Sequence, residues 1–188
     1  MNNNCAFAQR CRDPKSINLK FIFFILLTMI IAISGKARSG KDTAADYLRD
    51  KYGYEPIRFS APVYSIVNYI QKTVGVPNVK DPAMLQFIGE NLRQYYGEDV
   101  WVGILLRSLQ PDKNIVICDA RLQIEANELA AAGIPILRIN RKERPIDRDP
   151  SHISEVDLDN YPFNYVIDND GTFEEFYAKI DEFITQLN

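Results

Sequence analysis

The segment Gly35-Lys36-Ala37-Arg38-Ser39-Gly40-Lys41-Asp42-Thr43 leaves its surroundings little freedom. The apolar run Ile30-Ile31-Ala32-Ile33 before it reads as a short buried strand. Thr43-Ala44-Ala45-Asp46-Tyr47-Leu48 after it reads as the first turns of a helix. Strand, Gly-x-x-x-x-Gly-Lys, helix is the context in which such a turn binds phosphate. Gly35 and Gly40 permit backbone torsions and close approaches that a Cβ would obstruct. Successive N–H groups then form a concave anion nest, and the helix N-terminus adds unpaired N–H groups and a positive dipole end. Lys41 reaches the β- and γ-phosphates of a nucleotide as a point charge. The candidate nucleotide contacts are therefore Gly35, Arg38, Ser39, Gly40, Lys41, Asp42 and Thr43, with Arg38 either covering the phosphates from outside or merely exposed.

One position departs from the usual pattern. Most such loops follow the lysine with a Ser or Thr whose hydroxyl binds Mg²⁺. Here Asp42 follows, and Thr43 comes one position late. Either the metal is held largely through water and other carboxylates, or Asp42 itself orients metal-bound water. A chance Gly/Lys pattern in a turn is the bland alternative, and the flanking strand and helix argue against it.

With 188 residues the chain is long enough for one domain with a real core. A formal net charge of −3 supplies no basic field for a nucleic-acid polymer. The three cysteines, Cys5, Cys11 and Cys118, form no Cys-x-x-Cys, and a lone His152 cannot complete a Cys/His zinc set. A reducing, cytoplasmic setting is the simpler inference. Basic residues ahead of the apolar stretch 21–33 resemble a signal peptide, but that stretch is shorter than the ~20 residues a spanning helix needs. Cleavage near Ala32 or Ser34 would remove the strand that holds the phosphate loop. The expectation is therefore that residues 1–28 are a dispensable extension or an upstream mis-assigned start, outside a domain that starts at Met29, a reading preferred over a membrane role.

Downstream, Pro56-Ile57-Arg58-Phe59 reads as a second strand, and Val63, Ile66, Val67 and Ile70 recur at helical spacing. Asp81-Pro82 starts a helix with Leu85, Ile88, Leu92 and Tyr95 on one face. Ile115-Val116-Ile117-Cys118 is a continuous apolar strand of the kind buried on both faces, ending in Asp119-Ala120-Arg121. A helix over Glu125 to Ala132 closes at Gly133, and Ile136-Leu137-Arg138-Ile139 is the next strand. Asn140 to Tyr161 is a polar excursion, Phe163 to Ile167 a last strand, and Thr172-x-x-Glu175 a capping box. It opens a helix with Phe173, Phe176, Tyr177, Ile180, Ile184 and Leu187 on one stripe. About five strands alternating with helices predict a three-layer α/β domain with a parallel sheet and a ligand site beyond the strands' carboxyl ends.

The phosphate loop, Phe87-Ile88-Gly89-Glu90 with Arg93, Cys118-Asp119-Ala120-Arg121 with Glu125-Ala126, and His152-Ile153-Ser154-Glu155 through Asp168-Asn169-Asp170-Gly171-Thr172 together carry a resemblance. Over residues 29 to 188 the chain resembles the bacteriophage deoxynucleoside monophosphate kinases, small P-loop kinases related in fold to adenylate kinase. An Asp after the loop lysine is a feature of that group. Animal phosphomevalonate kinases share the loop style and the Ser-Glu and Asn-x-Gly ending, and are the closest competitor. The resemblance implies ATP and Mg²⁺ as cofactors, small-molecule nucleotide substrates, and a mobile lid over roughly 140–161. It is compatible with a homodimer.

Phosphoryl transfer needs positioning and charge neutralisation. Lys41 is the candidate for stabilising the transferred phosphate. Asp119, closing a buried strand, holds metal or water together with Asp42, or instead caps the following helix. By resemblance Arg121 binds the acceptor's phosphate, the alternative being a surface salt bridge. Arg93 binds a monophosphate or pairs with Glu90 one turn away. Arg141 and Arg144 are the candidate lid arginines, with no choice between them, the alternative being a solvated charge run in which Glu143, Asp147 and Asp149 are interleaved. Ser60 is expected to line the acceptor side, and Asn169 ends the last strand where an adenine would lie, a placement that Asp-Gly turn chemistry explains equally well. His152 is expected to be structural, with Ser154 and Glu155 ordering the lid's return. Trp101 and Tyr95 either stack on a base or belong to the core. The expected activity is ATP-dependent phosphorylation of deoxynucleoside monophosphates; the alternatives are a kinase for phosphomevalonate or another small phosphorylated metabolite, and a nucleotide-binding module with little turnover.

Overall fold

The computed structural model describes residues 29–110, 112–143 and 150–187. The expected extension over 1–28, and lid residue Arg144, lie outside the described residues. Five strands, β1 (Ile30–Ser34), β2 (Glu55–Ile57), β3 (Ile115–Ala120), β4 (Ile136–Asn140) and β5 (Tyr165–Asp168), form one sheet in the order β2-β3-β1-β4-β5. Every pairing is parallel. The helices are α1 (Lys41–Tyr52), α2 (Ala61–Val74), α3 (Pro82–Tyr96), α4 (Val100–Ser108), α5 (Gln123–Ala131), α6 (Ile153–Val156) and α7 (Phe173–Leu187).

The sheet's alternation sorts its side chains into two cores. On one face Ile31, Ile33, Val116, Leu137 and Ile139 pack with Leu48 of α1 and Phe176, Ile180 and Phe183 of α7. On the other, Ala32, Ile115, Ile117 and Ile136 pack with Val102 and Leu105 of α4 and Ala126 and Leu129 of α5. Burial on both faces explains the unbroken apolar runs of β1 and β3. This is the expected three-layer α/β architecture, with β1 at the centre of the sheet and its loop at the C-terminal rim.

Several helix ends match their sequence signals. Asp81 accepts the Met84 N–H at the start of α3. Thr172 and Glu175 exchange reciprocal bonds at the start of α7, at 3.2 and 2.9 Å. Other expectations need correction. The second strand stops at Ile57, because Phe59 turns into the second core while its N–H is taken by Asp119. The last strand begins at Tyr165 and runs on to Asp168, following its register with β4. Helix α3 buries only Gly89 fully and leaves Tyr95 exposed, since it leans on α2 and α4 and not on the sheet. Phe173 is exposed at the start of α7. The excursion after β4 contains the single turn α6. No helix among the described residues is long and apolar enough to cross a membrane.

Candidate active site

The loop between β1 and α1 is closed on by its neighbours. Gly35 adopts φ +156°, and a Cβ there would lie 2.5 Å from the Ile139 carbonyl oxygen. Gly40 adopts φ +105°, and a Cβ there would collide with the Asn169 side-chain amide. That amide donates to the Ser39 carbonyl at 2.9 Å, so Asn169 braces the loop from the end of β5. Arg38 is exposed at φ 61°, the one non-glycine residue with positive φ among those described. Such strain gathers at ligand-gripping turns. Lys41 is buried and its Nζ donates to the Lys36 carbonyl at 2.6 Å. Ser39 is buried and Thr43 half-buried. Asp42 points outward and pairs with Arg58 from the β2–α2 turn.

Asp119 lies at the C-terminal end of β3. Its Oδ1 accepts the Phe59 N–H at 2.8 Å, and its Oδ2 accepts the Ser60 hydroxyl at 2.8 Å. It therefore ties β3 to the β2–α2 turn and does not cap α5, contrary to one of its two expected roles. The start of α5 is closed instead by Glu125, whose Oε2 accepts the N–H groups of Arg121 and Leu122 at 2.8 and 3.1 Å.

Beside the loop opens a cleft of about 350 Å³ whose lining includes Ser60, Tyr64, Arg93, Asp119, Arg121 and Glu125. The sequence-predicted acceptor residues Ser60, Arg93 and Arg121 thus share one cavity. Arg121 is half-buried and its Nη1 lies 2.7 Å from Glu155 Oε1. Arg93 does not pair with Glu90: Glu90 accepts from Gln86 at 2.9 Å, and the Arg93 guanidinium faces Glu125 at 3.9 Å. Burial pushes the Glu125 carboxyl up to about 7, outweighing the two N–H bonds and the Arg93 charge that pull it down. Trp101 is buried in the cleft wall and donates to the Gly89 carbonyl at 3.1 Å. Tyr95 belongs to neither cleft nor core: it is exposed and packs edge-on to Tyr96.

The segment returning from the excursion is fastened to the loop. Glu155 Oε2 accepts the Ala37 N–H at 2.9 Å, and Asp159 takes Lys36 Nζ at 2.7 Å. Arg138, buried on β4, donates to Ser34 Oγ at 3.2 Å. His152 caps α6 by accepting the Ser154 N–H, as a structural residue would. Arg141 is exposed just past β4. Sequence reasoning assigned no role to Glu125 and only a lid-ordering one to Glu155. The signal for Glu125 was its position in the first turn after a strand end. No local signal marks Glu155, whose partner Ala37 lies 118 residues away.

Among the described residues no group of three or more His, Cys, Asp or Glu is placed to hold a metal. Mg²⁺ usually keeps several waters and is bound through one or two carboxylates plus substrate phosphates. Asp42 is engaged by Arg58, and both oxygens of Asp119 accept bonds from the β2–α2 turn, so neither carboxylate belongs to a preformed cation cage.

Residues 83–180 match the family model "Deoxynucleotide monophosphate kinase", just over half of the chain, including Arg93, Asp119, Arg121, Glu155 and Asn169. The chain is 27% identical over 183 residues to the "Putative deoxynucleotide monophosphate kinase" of Acanthamoeba polyphaga mimivirus, covering 81% of this chain and 94% of that protein. It is 31% identical over 163 residues to "Uncharacterized protein ORF76" of Ictalurid herpesvirus 1 (strain Auburn), covering 81% of this chain and 66% of that protein. Among solved structures, a dephospho-CoA kinase from Campylobacter jejuni superposes with a TM-score of 0.55 at 12% identity, over 84% of this chain and 96% of that one. That likeness concerns the fold alone, a parallel sheet packed between helices. Loop, arginine-lined cleft and family match agree, and the chain belongs to the deoxynucleotide monophosphate kinase family.

Proposed function

We propose that this protein transfers the γ-phosphoryl group of ATP to the phosphate of a deoxynucleoside monophosphate, releasing ADP and a deoxynucleoside diphosphate. The observation that supports this reading is the presence of two features suited to phosphate: a glycine-rich loop at the end of β1 and a cleft lined by Arg93 and Arg121. The loop's amides and Lys41 grip the donor, with Lys41 leaving the Lys36 carbonyl for the phosphates. Arg93 and Arg121 take the acceptor's phosphate, and Ser60 lines the same cleft. The acceptor oxygen is already ionised, so no strong general base is required, and positioning with charge neutralisation carries the reaction. Asp42 and Asp119 would hold Mg²⁺ through water, and the ion would neutralise phosphate charge when bound. Arg141 and Arg144 supply further positive charge from the lid. Asn169 keeps the loop in shape from behind the donor.

The test is ADP release measured with each of the four common deoxynucleoside monophosphates, with phosphomevalonate, and without acceptor. Turnover dependent on a deoxynucleoside monophosphate is expected, falling about a hundredfold or more in Lys41→Met at unchanged melting temperature. Turnover with phosphomevalonate alone would reject this acceptor. ATP binding with no acceptor-dependent turnover would reduce the protein to a binding module.

A further inference from the structure

Donor loop and acceptor cleft are joined by one buried side chain. The Glu155 carboxylate is 1% exposed and spends its two oxygens on different halves of the site. Oε2 accepts the N–H of Ala37, inside the phosphate loop, at 2.9 Å. Oε1 lies 2.7 Å from Arg121 Nη1, on the cleft side. The same Nη1 is 3.4 Å from the Ser154 carbonyl, so the α6 backbone braces the contact. A second glutamate grips Arg121 from the other end, since Glu125 binds its backbone N–H. Arg121 is thus held at the backbone by Glu125 and at the guanidinium by Glu155.

A guanidinium has five donors and Glu155 engages only one nitrogen, so the rest of the fork stays available for an anion. A long arginine side chain loses considerable rotamer freedom when a ligand fixes it. An internal carboxylate that fixes it beforehand removes that cost and sets the direction of approach. We propose that Glu155 is a positioning residue for phosphoryl transfer: it presets Arg121 towards the acceptor's phosphate and keys that arginine to the donor loop through Ala37. This rests on the reading of Arg121 as an acceptor-phosphate ligand.

The test compares the full-length wild type with Glu155→Gln, Arg121→Gln and the double variant. Glu155→Gln keeps an oxygen for the Ala37 N–H and removes the charge that holds Arg121. We expect its acceptor KM to rise about tenfold, with ATP affinity by calorimetry within about twofold of wild type. The double variant should be no worse than Arg121→Gln alone, because Glu155 acts through that arginine. An unchanged acceptor KM, fully additive losses, or an equal loss of ATP affinity would overturn the proposal; the last two would mark a merely structural role. The Ala37 amide resonance reads the bridge without any acceptor. Arg121→Gln should shift it in the wild-type background and leave it unmoved in the Glu155→Gln background. Equal shifts in both backgrounds would overturn the link. Should the wild type turn over no deoxynucleoside monophosphate, the functional reading fails, and the Ala37 resonance still decides whether the bridge exists.

Discussion

Gly40 illustrates how much one position carries. Its φ of +105° lies where side chains are strained, and any Cβ there meets the amide of Asn169 that braces the loop. Gly40→Ala is expected to lower ATP affinity at least about tenfold and stability by about 1–3 kcal/mol, read by calorimetry and thermal melting. A wild-type affinity in that variant would mean that the loop does not grip phosphate. Glu125 makes a pH-dependent contribution whose sign follows from burial. Its folded carboxyl keeps a proton up to about pH 7. The unfolded one loses its proton near pH ~4.3. Between those values the folded state binds more protons, so stability falls as pH rises through the window, by on the order of 3 kcal/mol once ionisation is complete. Melting from pH 4 to 8 should show this slope in wild type and a flatter one in Glu125→Gln; parallel curves would contradict it. Gly35, Gly40 and Lys41 were legible because their spacing is local. The partners of Asp119 and Glu155 were not: Asp119 binds Ser60 from 59 residues away, and nothing nearby in the chain marks such a pair.

At the scale of elements, β1 and β3 were legible because a strand buried on both faces must be apolar throughout. Helix α3 shows the limit. Its apolar face was visible, but periodicity states only that a face exists, not what covers it. Its neighbours are α2 and α4, so Leu85, Ile88 and Leu92 are half-buried. Its start, by contrast, was legible from Asp81-Pro82, and Asp81 Oδ1 does accept the Met84 N–H at 3.0 Å. Asp81→Ala should cost about 1 kcal/mol, lowering the melting temperature by roughly 2–4 °C. A drop several times larger would mean that α3 is anchored mainly through its cap. Trp101, donating to the Gly89 carbonyl, is the other anchor of α3 and hence of Arg93. Its indole N–H found a partner on the neighbouring helix, which is why a residue readable as a base-stacking platform is built into the cleft wall.

For the whole molecule, alternation of strands and helices was enough to anticipate a parallel three-layer sheet, while the strand order β2-β3-β1-β4-β5 required the structure. Strand pairing engages the chain from its first described residue: the Met29 carbonyl accepts the Ile115 N–H at 3.1 Å. A chain beginning at Met29 is therefore expected to melt cooperatively and bind ATP as the full chain does, and loss of either would give residues 1–28 a part in the fold. The sheet brings the ends of β1, β3 and β4 together, and with them the glycine-rich loop and the arginine-lined cleft, which the proposed function reads as donor and acceptor sites of one phosphoryl transfer. The most direct measurement follows the atom itself. ATP labelled in its γ-phosphate is incubated with the protein, Mg²⁺ and each deoxynucleoside monophosphate, and the products are separated. Label is expected in a deoxynucleoside diphosphate and is expected to be lost in Lys41→Met; label only in inorganic phosphate, or none released from ATP with any of these acceptors, would contradict the proposed transfer.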